Sequence, residues 1–463
     1  MKSNLAHHLL FLNALLLAPV ISLSCASSIN AQAAPNIVMI LSDDQAWTDY
    51  SFMGHETIET PNLDSLSRQS VLFRRGYVPT ALCRPSLMTL VTGRYAHQHR
   101  ITGNDPSPKY AAKGTPENKT QRAKLISYID KFATLPEQLV DKGYLCHQSG
   151  KWWEGNFKRG GFTHGMTRGF PQPGGRHGDD GLKIGREGLK PVTDFIDMAV
   201  EKEKPFFVWY APFLPHTPHT PPKRLLEKYT SNGRPKTIAK YYAMCDWFDE
   251  TCGKLVNHLD KTKIRDNTLI VYVCDNGWIQ NPERNGFAPR SKQTPYEGGV
   301  RTPIMFSWPA KFKPAERKEL CSSIDIVPTI LAAADAEPPN DLPGLDLLEA
   351  LTNGDAITRD SIFGESFAHD IADLDNPEAS LLFRWCIKGK WKLVLTYDGE
   401  ANRHRKNHPR TEKRPQLFDL IADPSEQQNL AGENPKVVAE LAAKIQAWYP
   451  VKERKTLMKF ESE

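Results

Sequence analysis

Past residue 23 the chain has no apolar run long enough to span a bilayer, so nothing in the remaining sequence reads as an integral membrane segment. Charge of one sign is scarce too. Against 54 Asp and Glu stand 59 Lys and Arg, a net +5 over 463 residues, which argues against bulk nucleic-acid binding and leaves only local anion affinity. None of the eight cysteines forms a CxxC pair, so zinc-ribbon and dithiol redox chemistry lack their ligands. No internal repeat is visible. Thirty glycines and 35 prolines are too unperiodic for collagen, and with 40% hydrophobic residues the composition is not that of a disordered chain. What remains is a loop-rich globular protein of two or three domains, at about 100–200 residues each.

The one long apolar run, LLFLNALLLAPVISL at 9–23, follows Lys2 and precedes the small-residue sequence AQA at 31–33. This order reads as a cleavable signal over residues 1–33, with a mature chain from near Ala34 in a secreted or periplasmic setting. A lipid anchor through Cys25 competes with it, but the preceding SLS places leucine one position off the lipoprotein pattern. In such a compartment some of Cys146, Cys245, Cys252, Cys274, Cys321 and Cys386 can pair, or all can remain isolated buried thiols.

The run NIVMILS at 36–42 has the pattern of a strand covered on both faces, and it stops at Asp43-Asp44. Similar runs recur at 144–148, 205–211, 269–274 and 303–308. Helical patterns fill the gaps: a segment with Thr60 as N-cap and Pro61 in its first turn, then TLPEQLVDKG, YYAMCDWFDETCGKLVNHL and SSIDIVPTILAAA. The alternation predicts an α/β fold, a central, mostly parallel sheet with flanking helices. Ligands bind such sheets outside the carboxyl ends of the strands, where Asp43, Asp44 and Asp275 fall. The texture changes to LLFRWCIKGKWKLVLTYDG and a closing amphipathic PKVVAELAAKIQAWY, so residues 34–375 are expected to form the main domain and 376–463 a smaller α+β domain. Two polar insertions, at about 100–124 and 155–190, have the length of functional or disordered loops.

Two carboxylates ~4 Å apart repel by about 4 kcal/mol even at an effective dielectric of 20, so three at one sheet edge call for a cation. With Asn276 as a fourth oxygen donor and no histidine among the four, the set suits calcium or magnesium rather than zinc. Taken separately the pairs are also ordinary, a loop cap at Asp43-Asp44 and a turn at Asp275-Asn276-Gly277. In LCRPSLMTLVTGRY, Pro85 fits the first turn of a helix and puts Cys83 at its amino end, where backbone N–H groups and the macrodipole favour an anion.

The C-x-P-S of Cys83 followed by T-G-R at Gly93-Arg94 resembles the signature of the formylglycine-dependent sulfatases of the alkaline phosphatase superfamily. The resemblance continues in order through NIVMILSDDQ, TPNLDSLSRQSVLFRRGYV, LVDKGYLCHQSGKW, APFLPHTPH, VYVCDNG, SKQTPYEGGVRTPIMFSWP, KWKLVL and LFDLIADPSEQQNLA, nearly the whole mature chain. It implies an alkaline-phosphatase-like core and sulfate-ester hydrolysis. It also implies conversion of Cys83 to formylglycine by a maturation enzyme, and one Ca2+ held by Asp43, Asp44, Asp275 and Asn276 together with the modified Cys83. Lys151 and Lys292 match the lysines that hold sulfate oxygens, and His216 matches the histidine facing the bridging oxygen, placed to protonate the leaving alcohol.

Two positions depart from the family pattern. Leu87 stands where arginine usually follows the cysteine by four residues, with Arg84 as an alternative source of charge. Trp153 stands where GKWH has its histidine, and an indole cannot accept a proton. His147, His164 and Glu154 are the sequence candidates to replace that base. Phosphomonoester or phosphonate hydrolysis on the same fold, and a non-catalytic sulfoglycan-binding protein, are the competing readings. Basic residues in the second insertion, Lys158, Arg159, Arg168, Arg176, Lys183 and Arg186, and the run at 403–414 are expected at the rim of the site, favouring a sulfated carbohydrate over a small sulfate ester.

Overall fold

The computed structural model describes residues 34–108, 112–172, 179–230, 233–397 and 414–451. The proposed signal with Cys25, Arg176, and residues 403–413 of the second basic run lie outside the described residues.

Nine strands form the main sheet. Its order is Cys321–Ser322, Val71–Tyr77, Arg301–Ser307, Thr268–Cys274, Asn36–Ser42, Phe206–Ala211, Leu145–Gly150 and His164–Gly165, with Ala315–Arg317 also pairing Val71–Tyr77. Only Arg301–Ser307 runs antiparallel to its neighbours; every other pairing is parallel. Side chains of the central strand alternate between two layers. Ile37, Met39 and Leu41 join one buried cluster with the Cys83 helix, and Val38 and Ile40 join the other with helices Lys190–Glu201 and Lys236–Lys261. Burial on both faces is why this strand reads as a continuous apolar run.

The smaller sheet is antiparallel, in the order Ile362–Phe367, Leu381–Lys388, Trp391–Thr396 and Gln416–Asp419. It draws its edge strand from before residue 376. The closing helix Pro435–Trp448 covers it through Leu441 and Ile445 against Cys386, Leu393 and Leu417. Its other face joins the main core through Trp385, Val394 and Phe418, and there the fully buried Lys392 ammonium lies 3.1 Å from Glu297 and 3.0 Å from Glu426.

Several details differ from expectation. Thr60 precedes the helix Pro61–Arg68, but its hydroxyl donates to the Asp64 carboxylate rather than capping a backbone N–H. All seven described cysteines are buried free thiols. The 155–190 insertion carries short 3-10 turns at Phe157–Gly160 and Asp180–Lys183 and the edge strand His164–Gly165. Among the described residues no helix is long and apolar enough to cross a membrane.

Candidate active site

Strand register assembles the site. Ser42 pairs with Cys274, so the next residues of the two strands, Asp43 and Asp275, emerge side by side. Gly150 pairs with Ala211, placing Lys151 after one strand and the Phe213–His216 loop after the other. A Cβ on Gly150 would lie 1.8 Å from the Ala211 carbonyl oxygen, so only glycine permits this approach, and Lys151 then donates its backbone N–H to that oxygen at 2.7 Å. Asp44 holds a left-handed backbone (φ 64°), a conformation that Asp tolerates better than most residues and that turns its carboxylate back over the strand ends. Cys83 begins the helix Cys83–Thr92, with Pro85 in the first turn as the sequence predicts.

The buried charges interlock. Lys151 Nζ donates to Asp43 Oδ1 at 2.7 Å and lies 3.9 Å from Asp275; Lys292 Nζ lies 2.5 and 2.8 Å from the two Asp44 oxygens and 3.1 Å from Cys83 Sγ. The cysteine sulfur is 4.0 Å from Asp43 and 3.9 Å from Asp44. His216 stacks on Phe213, hydrogen-bonds the Thr217 carbonyl through Nδ1 and points Nε2 at Asp44 Oδ2, 3.3 Å away. Burial pushes Asp43 and Asp275 above the ordinary carboxylate range against the pull of Lys151, and neighbouring carboxylates add to the rise. Burial also pushes the Cys83 thiol up to about 12, so the unmodified side chain is no thiolate at neutral pH. Both lysines are held above their ordinary value because the carboxylates outweigh the cost of burial.

The donor set fits a hard cation. Asp43 Oδ2, Asp275 Oδ2 and Asn276 Oδ1 are buried oxygens with no hydrogen-bond partner, all at the same strand ends. Leaving three such acceptors bare costs ~1–3 kcal/mol each, a cost that coordination removes. Ligand atoms of Asp43, Asp44, Cys83 and His216 also lie within 4.8 Å of one another. All eight residues singled out from the sequence therefore sit in one cluster.

The other expectations fare differently. Glu154 forms a buried bidentate pair with Arg84 at 2.6 Å, so Arg84 is committed there. His147 and His164 pack on Phe195, within or beside the layer containing helix Lys190–Glu201, and neither lines the cavity over Cys83. None of the described basic residues of the insertion lines the cavity over Cys83. Arg159 pairs with Asp130, and Lys183 and Arg168 both face Asp180. Arg186 instead braces the histidine loop, donating to the carbonyls of Phe213 and His216. The reason is local: each of these cations has its own acidic or carbonyl partner, which a count of charges does not reveal.

The cavity over Cys83 measures about 830 Å³, and its walls include residues that the sequence did not single out: Asn104, His219, Lys240, Trp278, Phe287 and His369. They come from five separate loops and helices. An adjacent His-Asp at 369–370 is the only local signal among them, and it is too common to weigh alone.

Comparison with known proteins gives the family and the fold. The sulfatase family model matches residues 35–336, and that of the N-sulphoglucosamine sulphohydrolase C-terminal region matches 290–449. An N-acetylgalactosamine-6-O-sulfatase of Bacteroides thetaiotaomicron is 27% identical, covering 89% of this chain and 93% of that protein. Arylsulfatase A of Bos taurus is also 27% identical, over 91% and 88%. Among solved structures, BT4656 in complex with its substrate D-glucosamine-2-N,6-O-disulfate superposes with a TM-score of 0.66 at 20% identity over 90% of this chain and 97% of that one. The phosphonate monoester hydrolase of Agrobacterium radiobacter gives 0.65 at 19% over 89% and 95%. At these identities both structures bear on the fold alone.

Proposed function

The chain belongs to the sulfatase family, and from that premise we propose that it is an exported, calcium-dependent enzyme that removes sulfate from glycans through a formylglycine derived from Cys83. The observation that carries this reading is the coincidence, at one set of strand ends, of three bare buried oxygens with a helix-start cysteine flanked by two lysines. A bound calcium ion supplies a positive charge that favours ionisation of a hydroxyl at residue 83 and balances sulfate oxygens. Asp43, Asp44, Asp275 and Asn276 are the residues to hold it. Formylglycine supplies an aldehyde hydrate, an oxygen nucleophile where the thiol itself stays protonated. A maturation enzyme that converts Cys83 is then a required partner.

The chain's own groups do the rest. Lys151 and Lys292, fixed by Asp43 and Asp44, present ammonium groups to the sulfate oxygens without reorganising. His216 is held between Phe213 and the Thr217 carbonyl with Nε2 toward the reaction centre, so that nitrogen delivers the proton to the departing alcohol. Trp278 and Phe287, ring centres 5.2 Å apart, form an aromatic wall suited to a sugar face, and Lys240 adds a cation on that side of the cavity. The relatives named above, an N-acetylgalactosamine-6-O-sulfatase among them, support a sulfated carbohydrate as the substrate class. The apolar run at 9–23 supports export. Mass analysis of the Cys83 peptide from native-host protein, paired with a sulfate-release screen on defined sulfated sugars, tests the proposal. An unmodified cysteine in protein that nonetheless releases sulfate would refute the nucleophile.

A further inference from the structure

Displacement through a covalent nucleophile has a second half: once the alcohol has left, sulfate must leave residue 83, and that step needs a proton acceptor rather than a donor. His216 is placed for the first half. Trp153 borders the same cavity, and an indole has no acceptor nitrogen. Of the remaining titratable groups on the wall, Lys240 and Lys292 are cations, and burial lowers His219 to about 4, which makes it a weak base. His369 is left.

Its surroundings fix its protonation. Asn104 Oδ1 accepts the backbone N–H of Arg84 at 3.2 Å, so the amide nitrogen of Asn104 is the group that faces His369 Nε2, also at 3.2 Å. An N–H pointing at Nε2 makes that nitrogen the acceptor and leaves the ring proton on Nδ1, which donates to Asp370 Oδ1 at 2.5 Å. Asp370 is buried, and its carboxylate stands behind the ring, ready to stabilise an imidazolium. The backbone is equally fixed. Asp370–Ile371 pairs with Asp105–Pro106 in a two-stranded parallel ladder, and the Asn104 N–H donates to the His369 carbonyl at 2.9 Å. A Cβ on Gly103 would come within 2.8 Å of that carbonyl, so the close approach of the two segments depends on glycine. His369 Nε2 is thus one amide group away from the peptide that follows Cys83.

Building on the function proposed above, we infer that His369, oriented by Asp370, is the base that removes a proton from the hydroxyl at the converted residue 83 and so releases sulfate. The hydroxyl takes the place of the Asn104 N–H at Nε2, whose one lone pair receives the proton; the O–H electron pair forms the aldehyde C=O, and the C–O bond to the sulfate breaks, sulfate departing with the pair of that C–O bond. The imidazolium then returns its proton to solvent, and water adds to the aldehyde to restore the hydrate.

The test uses enzyme with residue 83 converted, as wild type and as His369→Ala, His369→Gln and Asp370→Asn, mixed rapidly with an aryl sulfate while alcohol and sulfate are measured separately. His369→Ala should release one equivalent of alcohol at the wild-type rate. It should then stall, with turnover down roughly 10²–10⁴-fold, and intact mass should show sulfate retained on the chain. Added imidazole should speed sulfate release, and Asp370→Asn should stall more weakly. Should His369→Ala not fold, His369→Gln is read in its place. Sulfate release within ~3-fold of wild type, or loss of the alcohol burst in a folded variant, would overturn the assignment of His369 alone. A wild type that cleaves no sulfate ester would overturn the underlying function as well, and needs no variant to be seen.

Discussion

Replacing Glu154 by glutamine separates a structural carboxylate from a catalytic one. The side chain accepts two hydrogen bonds at 2.6 Å from Arg84, which also donates to the Asn104 carbonyl at 3.0 Å; the glutamate is fully enclosed and the arginine nearly so. Removing one partner of a buried pair costs about 3–5 kcal/mol, because the remaining charge is left without compensation. Glutamine keeps one acceptor oxygen for one guanidinium N–H, which places the expectation at the low end, ~3 kcal/mol. For a compact unit running from Ala34 to Glu463, at about 2 cal/mol/K per residue, the unfolding entropy is about 0.9 kcal/mol/K, so Tm should fall by about 3–4 °C. Differential scanning calorimetry reads the shift directly. The pH profile of kcat should keep its shape, since Glu154 takes no proton from substrate. A Tm change below ~1 °C would refute the account of the pair, and loss of the acidic limb of the profile, where a base becomes protonated, would restore Glu154 as a base.

Cys83→Ala should abolish sulfate release while calcium binding and the melting transition persist; residual turnover above a trace would remove Cys83 as nucleophile. Asp275→Ala or Asp44→Ala should lower metal content and rate together, and calcium should restore chelated wild type, whereas two zinc ions per chain would favour the phosphatase reading. His216→Ala should cost roughly 10²–10⁴-fold on a sugar sulfate and much less on an activated aryl sulfate, and equal losses would assign it to binding. Lys240→Gln should raise KM on a saccharide with two anionic groups more than on a monosulfated one. Arg159→Ala with Arg168→Ala should leave both unchanged, because those cations pair with Asp130 and Asp180; the opposite pattern would return the insertion to the rim.

The sequence by itself determined the parts of the molecule that repeat locally or follow from composition. Continuous burial writes an apolar run, so strands such as Asn36–Ser42 and Thr268–Cys274 were legible, and with them the carboxylates that end them. A proline in the first turn marked the helix start at Cys83. The ordered motifs carried the roles of Lys151, Lys292 and His216, which as isolated residues carry no signal. Partnership, by contrast, was decided only in three dimensions. Arg84 and Glu154 are 70 residues apart and Asn104 and His369 265 apart, so no periodicity links them. The basic insertion shows the same limit from the other side: a charge count records how many cations a segment has, while burial, register and nearby acids decide whether any is left to meet a substrate. Asp43 and Asp275 lie side by side because Ser42 pairs with Cys274, and the bare oxygens that fit a cation exist only once that pairing excludes water from them.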